Sequence, residues 1–353
     1  MNKLKTQYLA TKPRASTIEV EEGCFLYLEE FGHPEGIPVV FIHGGPGNPF
    51  LKTDHQWFDP EKYRIILFQQ RGTGKCIPSA EDLECDASVF KNVTIQTLAQ
   101  DVETIKKTLN IEKWLVFGGS WGSTLSLFYA QEYPKSCLGL VLRGIFLGTQ
   151  DEKRDFFNPE ILKKSCGEDW DPKALKRIID YATSQGFEVD PKNSCSLYSA
   201  YREMTVNRND IRACRLWASF ERFVDDPANK GELERVLSDS LETTPLERSC
   251  AVWETLMFDQ LPRTVNLLDE KRLIRLKELP IQVVHGKKDN LCLWQVADEL
   301  VDKLKKEGCR VRFDLIENGA HTPYHPEMTH ALVSATDRFA VKGKFLAQKK
   351  PLK

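Results

Sequence analysis

Apolar positions in this chain fall into short, unbroken runs that stop at glycine. Ile37 to Ile42 is apolar throughout and ends at HGGPG, and Tyr63 to Phe68 is a second run, ended by QQRGTGK. Trp114 to Phe117 and Leu138 to Leu142 are the third and fourth. Runs of this length bounded by turn residues predict strands buried on both faces. Upstream, residues 16–31 alternate apolar and polar and predict two strands broken at Glu21–Gly23. Between the second and third runs, Ile95, Leu98, Val102, Ile105 and Leu109 share one helical face over 93–109, with Asn92 or Thr94 as its cap. The third run passes directly into GGSWGSTLSLFYAQEYP, a glycine turn followed by a helix.

Strands alternating with helices predict an α/β fold with a mostly parallel sheet covered on both faces. The alternation stops near residue 148. From there to about 275 the chain is polar, charged and helical in pattern, as in DPKALKRIIDYA and RACRLWASFERFV. Strand-like runs return at Pro280 to Val284 and Val311 to Leu315, with a helix over about 294–307 between them and a last helix over 328–341. The expected organisation is a core made of residues 1–147 and 276–353, with a helical cap inserted over 148–275.

Composition narrows the function classes. With 353 residues, 41% hydrophobic and 28% charged, the chain reads as globular rather than disordered. Lys and Arg total 49 against 51 Asp and Glu, so no net field favours nucleic acid or an anionic membrane. The ten cysteines include no CxxC pair, which argues against a zinc ribbon and fits reduced thiols in the cytoplasm. MNKLKTQYLATKPRA lacks the apolar run of a signal peptide, and the terminal AQKKPLK reads as a solvated basic tail. A cytoplasmic location, no membrane span, no metal and no organic cofactor are expected.

The chemistry concentrates at the glycine-bounded turns. Gly118-Gly119-Ser120-Trp121-Gly122 contains Gly-x-Ser-x-Gly between a buried strand and a helix, the context that lifts a serine above a sheet edge as a nucleophile. The alternative is a structural turn whose serine caps the helix. His43-Gly44-Gly45-Pro46-Gly47 follows another buried strand, and the backbone NH groups of Gly45 and Trp121 are the candidates for an oxyanion hole. His43 precedes the serine and reads as a brace for its loop. A serine nucleophile needs an imidazole, and the imidazole needs a carboxylate, in the chain order Ser, Asp, His. Asp289 leaves a strand at VVHGKKD, and His321 follows the last strand at NGAH, with His325 and His330 as its competitors. Ser120, Asp289 and His321 are the expected triad.

HGGPG at 43–47, QRGTGK at 70–75, the stretch at 92–134, LRGIF at 142–146, VVHGKKD at 283–289 and ATDRFA at 335–340 resemble, in order, the prolyl aminopeptidases (proline iminopeptidases) of the α/β-hydrolase superfamily. The resemblance is dense over 37–147 and 279–342 and thin between. It implies a serine exopeptidase releasing an N-terminal residue, preferentially proline, from short peptides with a free N-terminus. Two cap glutamates hold the substrate amine in that family; Glu221 and Glu254 are the nearest matches here. Phe146 would line the proline pocket, with Trp217 as the weaker candidate. Cys292 matches a cysteine near the family's active site, implying sensitivity to thiol reagents. Asn48, Gln69, Thr255 to Phe258 and Thr322 to Glu327 depart from the family pattern and bear on strict proline specificity. An esterase, lactonase or amidase using the same triad remains open at this stage, as does a catalytically silent scaffold.

Overall fold

The computed structural model describes residues 4–190 and 195–345, so the expected tail at 347–353 lies outside the described residues. Among the described residues are eight strands: β1 (Arg14–Glu21), β2 (Cys24–Gly32), β3 (Ile37–Ile42), β4 (Tyr63–Phe68), β5 (Trp114–Ser120), β6 (Cys137–Ile145), β7 (Pro280–Gly286) and β8 (Arg310–Ile316). They form one sheet in the order β1-β2-β4-β3-β5-β6-β7-β8. β2 runs antiparallel to both its neighbours, and β3 through β8 are parallel. Each buried strand therefore feeds alternate side chains to two cores. In β3, Val40 and Ile42 join one cluster while Val39 and Phe41 join the other. Burial on both faces is why these strands read as continuous apolar runs rather than as alternation.

Helices α1 (Ile95–Thr108) and α2 (Trp121–Glu132) cover one face. Thr94, rather than Asn92, caps α1: its hydroxyl accepts from the Thr97 amide. Between β6 and β7 come α3 (Gln150–Phe156), α4 (Pro159–Cys166), α5 (Pro172–Ser184), α6 (Cys195–Arg202), α7 (Ile211–Asp225), α8 (Lys230–Leu237), α9 (Pro245–Thr264) and the short α10 (Glu270–Leu273). α11 (Trp294–Lys306) then links β7 to β8, and α12 (Pro326–Lys342) lays Met328, Leu332, Ala335 and Phe339 on the second core.

The inserted helices are bound to one another by buried polar groups. Glu247 of α9, 1% exposed, accepts from Arg222 of α7 at 2.6 Å and from Arg235 of α8 at 2.8 Å. Their approach to the sheet is equally close. A Cβ on Gly47 would lie 2.5 Å from the Ser249 carbonyl oxygen, so α9 packs directly on the loop leaving β3. The insertion thus sits over the carboxyl ends of the parallel strands, where ligands of open α/β sheets bind.

Candidate active site

Ser120 ends β5 and immediately precedes α2, with φ +57° and ψ −131°, backbone angles that non-glycine residues rarely adopt. The turn is tight because the chain has no side chains to spare there. A Cβ on Gly122 would lie 2.1 Å from the Ile42 carbonyl oxygen, and one on Gly118 would lie 2.2 Å from the Gly122 oxygen. Ser120 makes no side-chain cap to α2, so the capping alternative does not describe it. Its Oγ instead lies 3.1 Å from His321 Nε2, and His321 Nδ1 lies 2.8 Å from Asp289 Oδ2. Three loops, after β5, β7 and β8, bring these side chains together.

Each member is held from behind. Asp289 Oδ1 accepts from the Leu291 and Cys292 amides at 3.0 and 2.8 Å. Burial alone would raise the Asp289 carboxyl, but His321, then His285 and the Cys292 amide, outweigh it and hold the group below its ordinary range. Arg143 donates to the His321 carbonyl oxygen at 2.8 Å. His325 stands at the start of α12, and His330 Nδ1 accepts from the Lys5 amide at 2.7 Å, so neither competes for Ser120.

The loop at 43–47 is braced as its sequence implies. His43 is buried, its Nδ1–H donating to the Gly44 carbonyl at 3.0 Å and its Nε2 accepting from the Gln70 amide at 2.9 Å. Burial pulls its pKa down to about 4, so the ring stays neutral. The Gln70 side chain joins this loop to the nucleophile turn. Its amide donates to the His43 carbonyl at 2.8 Å, and its oxygen accepts from the Trp121 indole at 2.8 Å. Sequence reasoning assigned Gln70 no role beyond its place in QRGTGK; its position two residues after a buried strand was the available signal.

Ser120 and Gly45 line two adjoining cavities. The first, about 240 Å³, also contains Phe146, Trp217, Glu221, Glu254 and Phe258. Phe146 and Phe258 meet edge to face at 4.9 Å. Phe258 lies in a stretch that departs from the family pattern, yet it supplies an aromatic wall. Tyr198, also unforeseen, closes the same space beside Trp217 at 5.3 Å.

Glu254 is 0% exposed; Oε2 accepts from the Trp217 indole at 2.7 Å, Oε1 accepts from no N–H group among the described residues, and the carboxyl is hydrogen-bonded to that of Glu221. Burial, and then the neighbouring Glu221 carboxylate, push the Glu254 carboxyl well above its ordinary range. Burial raises Glu221 too. Two acids beside one another in an apolar chamber hold a proton between them until a cation replaces it.

Cys292 is 5% exposed and lines this cavity, but burial drives its thiol well above the ordinary range. Reaction with thiol reagents, which the family resemblance implies, goes through the thiolate that this burial disfavours. Asp289, Cys292 and His321 offer metal-ligand atoms within 4.8 Å of one another. Two of these groups are already bonded to each other and the third is held as a thiol, a poor match to a resident cation.

Residues 37–327 match the α/β-hydrolase fold family. The chain belongs to that family. It is 33% identical to a probable proline iminopeptidase of Leptolyngbya boryana, over 90% of this chain and 91% of that one. A proline iminopeptidase of Arabidopsis thaliana is 31% identical, over 95% of this chain and 82% of the relative. Among solved structures, an esterase from Exiguobacterium antarcticum superposes with a TM-score of 0.56 at 17% identity, covering 92% of this chain and all of that one. The proline iminopeptidase of Mycobacterium smegmatis gives 0.54 at 15% identity, covering 94% and 98%. At these identities the structural likeness speaks for the fold alone. Among the described residues no helix is long and apolar enough to cross a membrane.

Proposed function

We propose that this hydrolase is a serine exopeptidase that releases an N-terminal residue, preferentially proline, from short peptides. The observation that carries the reading is the pair of neighbouring carboxyls, Glu221 and the fully buried Glu254, in the chamber that Ser120 also lines. Such a pair costs free energy unless a ligand satisfies it, and a free imino group would do so. The apolar ring of proline would lie against Phe146 and Phe258, with Trp217 and Tyr198 completing the wall.

In this reading His321 Nε2 takes the Ser120 hydroxyl proton as Oγ bonds to the first peptide carbonyl carbon. The NH groups of Gly45 and Trp121 receive the oxyanion, and Asp289 stabilises the imidazolium. Collapse breaks the carbon–nitrogen bond, and His321 passes its proton to the departing amine. Water then attacks the acyl-enzyme, losing a proton to His321, which returns it to Ser120 Oγ as the amino acid leaves. The helices over 148–275 would act as a cap that admits chain ends and excludes folded proteins.

The test is hydrolysis of prolyl-, alanyl- and N-acetyl-prolyl-β-naphthylamide by the wild type and Ser120→Ala. Best turnover of the free prolyl substrate, loss on acetylation and an inactive variant are expected. Turnover of p-nitrophenyl acetate through Ser120, with none of the three amides cleaved, would replace this reading with an esterase.

A further inference from the structure

We infer that the second cavity is a leaving-group subsite built for an apolar residue immediately after the scissile bond, a specificity that rests on the exopeptidase reading. The cavity, about 400 Å³, adjoins the glutamate chamber at Gly45, Ser120, Glu221 and Leu291. His321 lines the second cavity and not the first. The imidazole that must protonate the departing amine therefore faces this space, which fixes the side from which the remainder of the peptide extends.

The mouth of this cavity carries three large apolar side chains left in solvent: Leu51 at 53% exposure, Leu246 at 41% and Tyr324 at 40%. Single exposed apolar residues are ordinary on a protein surface. These three arrive from separate segments, the loop after β3, the first turn of α9 and the loop after β8, and converge on one opening that contains Ser120. Trp57 and Phe117 continue the apolar surface inward.

The rim is also held in place. Asp54, 6% exposed, accepts from the Leu51 amide at 2.7 Å through Oδ2 and from the Tyr324 hydroxyl at 3.5 Å through Oδ1. Tyr324 further bonds Thr53 Oγ1 at 3.0 Å, and its ring leans on Trp57 with centroids 5.5 Å apart. One buried carboxyl thus joins the Leu51 backbone to the Tyr324 side chain at the rim. The charged groups in the cavity do not offer a free cation to an acidic leaving residue. Arg143 is engaged with the His321 carbonyl and Arg222 with Glu232 and Glu247, while Asp225 and Glu221 repel an acidic one.

An aliphatic or aromatic side chain after the scissile bond would cover this rim and gain the free energy of apolar burial in the acylation step. The experiment compares kcat/KM for the amidated dipeptides prolyl-leucine, prolyl-phenylalanine, prolyl-glycine and prolyl-aspartate, following released proline. Leucine and phenylalanine should exceed glycine by about tenfold or more, and aspartate should fall below glycine. In Leu51→Ser/Leu246→Ser the leucine-to-glycine ratio should drop toward one, and in Asp54→Asn it should fall part of the way. Equal rates for leucine and glycine, or an unchanged ratio in the double variant, would overturn the subsite while leaving the exopeptidase reading intact. If no prolyl substrate is cleaved but p-nitrophenyl acetate is, the exopeptidase reading fails and the subsite with it.

Discussion

Replacing both chamber glutamates, Glu221→Gln/Glu254→Gln, removes charge at nearly constant volume. In the wild type one Glu254 oxygen accepts from Trp217, and the buried carboxyl stands beside that of Glu221. The amide oxygen introduced at position 254 can still accept from that indole, so the wall should survive. What disappears is the negative charge able to neutralise a substrate cation there. Leaving a buried cation without its counter-charge costs about 3–5 kcal/mol. Carried into the acylation transition state, that is a fall in kcat/KM for the free prolyl naphthylamide of roughly 10²- to 10⁴-fold. Either single variant keeps one carboxylate and should lose less, about 10- to 100-fold if a charge-assisted hydrogen bond is what goes. Active-site titration with a fluorophosphonate shows whether Ser120 still reacts, separating amine recognition from damage to the nucleophile. A double variant that keeps prolyl turnover within about threefold of wild type would refute the assignment of the amine to these carboxylates.

Three further outcomes follow from the same geometry. The folded Glu254 carboxyl titrates above its unfolded value, so it lowers stability as pH rises through the interval between the two; Glu254→Gln should therefore raise Tm more at about pH 8 than at about pH 5, and an equal Tm difference at both would contradict the shift. Asp289→Asn should leave the fold intact but lower kcat by about 10³- to 10⁴-fold, because the amide no longer stabilises the imidazolium or fixes its tautomer; pre-steady-state acylation rates would show it. Gly122→Ala would drive a Cβ to 2.1 Å from the Ile42 oxygen and should cost about 3 kcal/mol or more, seen as a large fall in Tm or loss of folded protein.

Much of the core was readable before any coordinates. β3 through β7 fall where mostly apolar runs meet glycine or polar turns, with ends extended by a few residues, as where Trp114 to Phe117 continues to Ser120, whereas the edge strand β8, RVRFDLI, alternates. Those extensions are invisible in hydropathy because GGS is selected for the turn rather than for burial. Ser120, Asp289 and His321, which the structure brings together, could be singled out because each lies at or within a few residues of a strand's carboxyl end, and a parallel sheet delivers all those ends to one edge.

Other features depended on long-range contact. Nothing local to Glu254 distinguishes it from a surface helix glutamate; its burial is created by α6, α7 and the loop after β6 closing around it. Gln70 looks like any polar residue at a strand end until His43 and Trp121 are seen on either side of it. Leu51, Leu246 and Tyr324 are unrelated exposed residues in the sequence and one rim in space. The chain by itself determined the sheet, the turns and the three groups that could exchange a proton, because periodicity and glycine placement are local properties. Which carboxylates lose their water, and which apolar side chains share an opening, was decided only by packing, because desolvation and shape belong to neighbours far away along the chain.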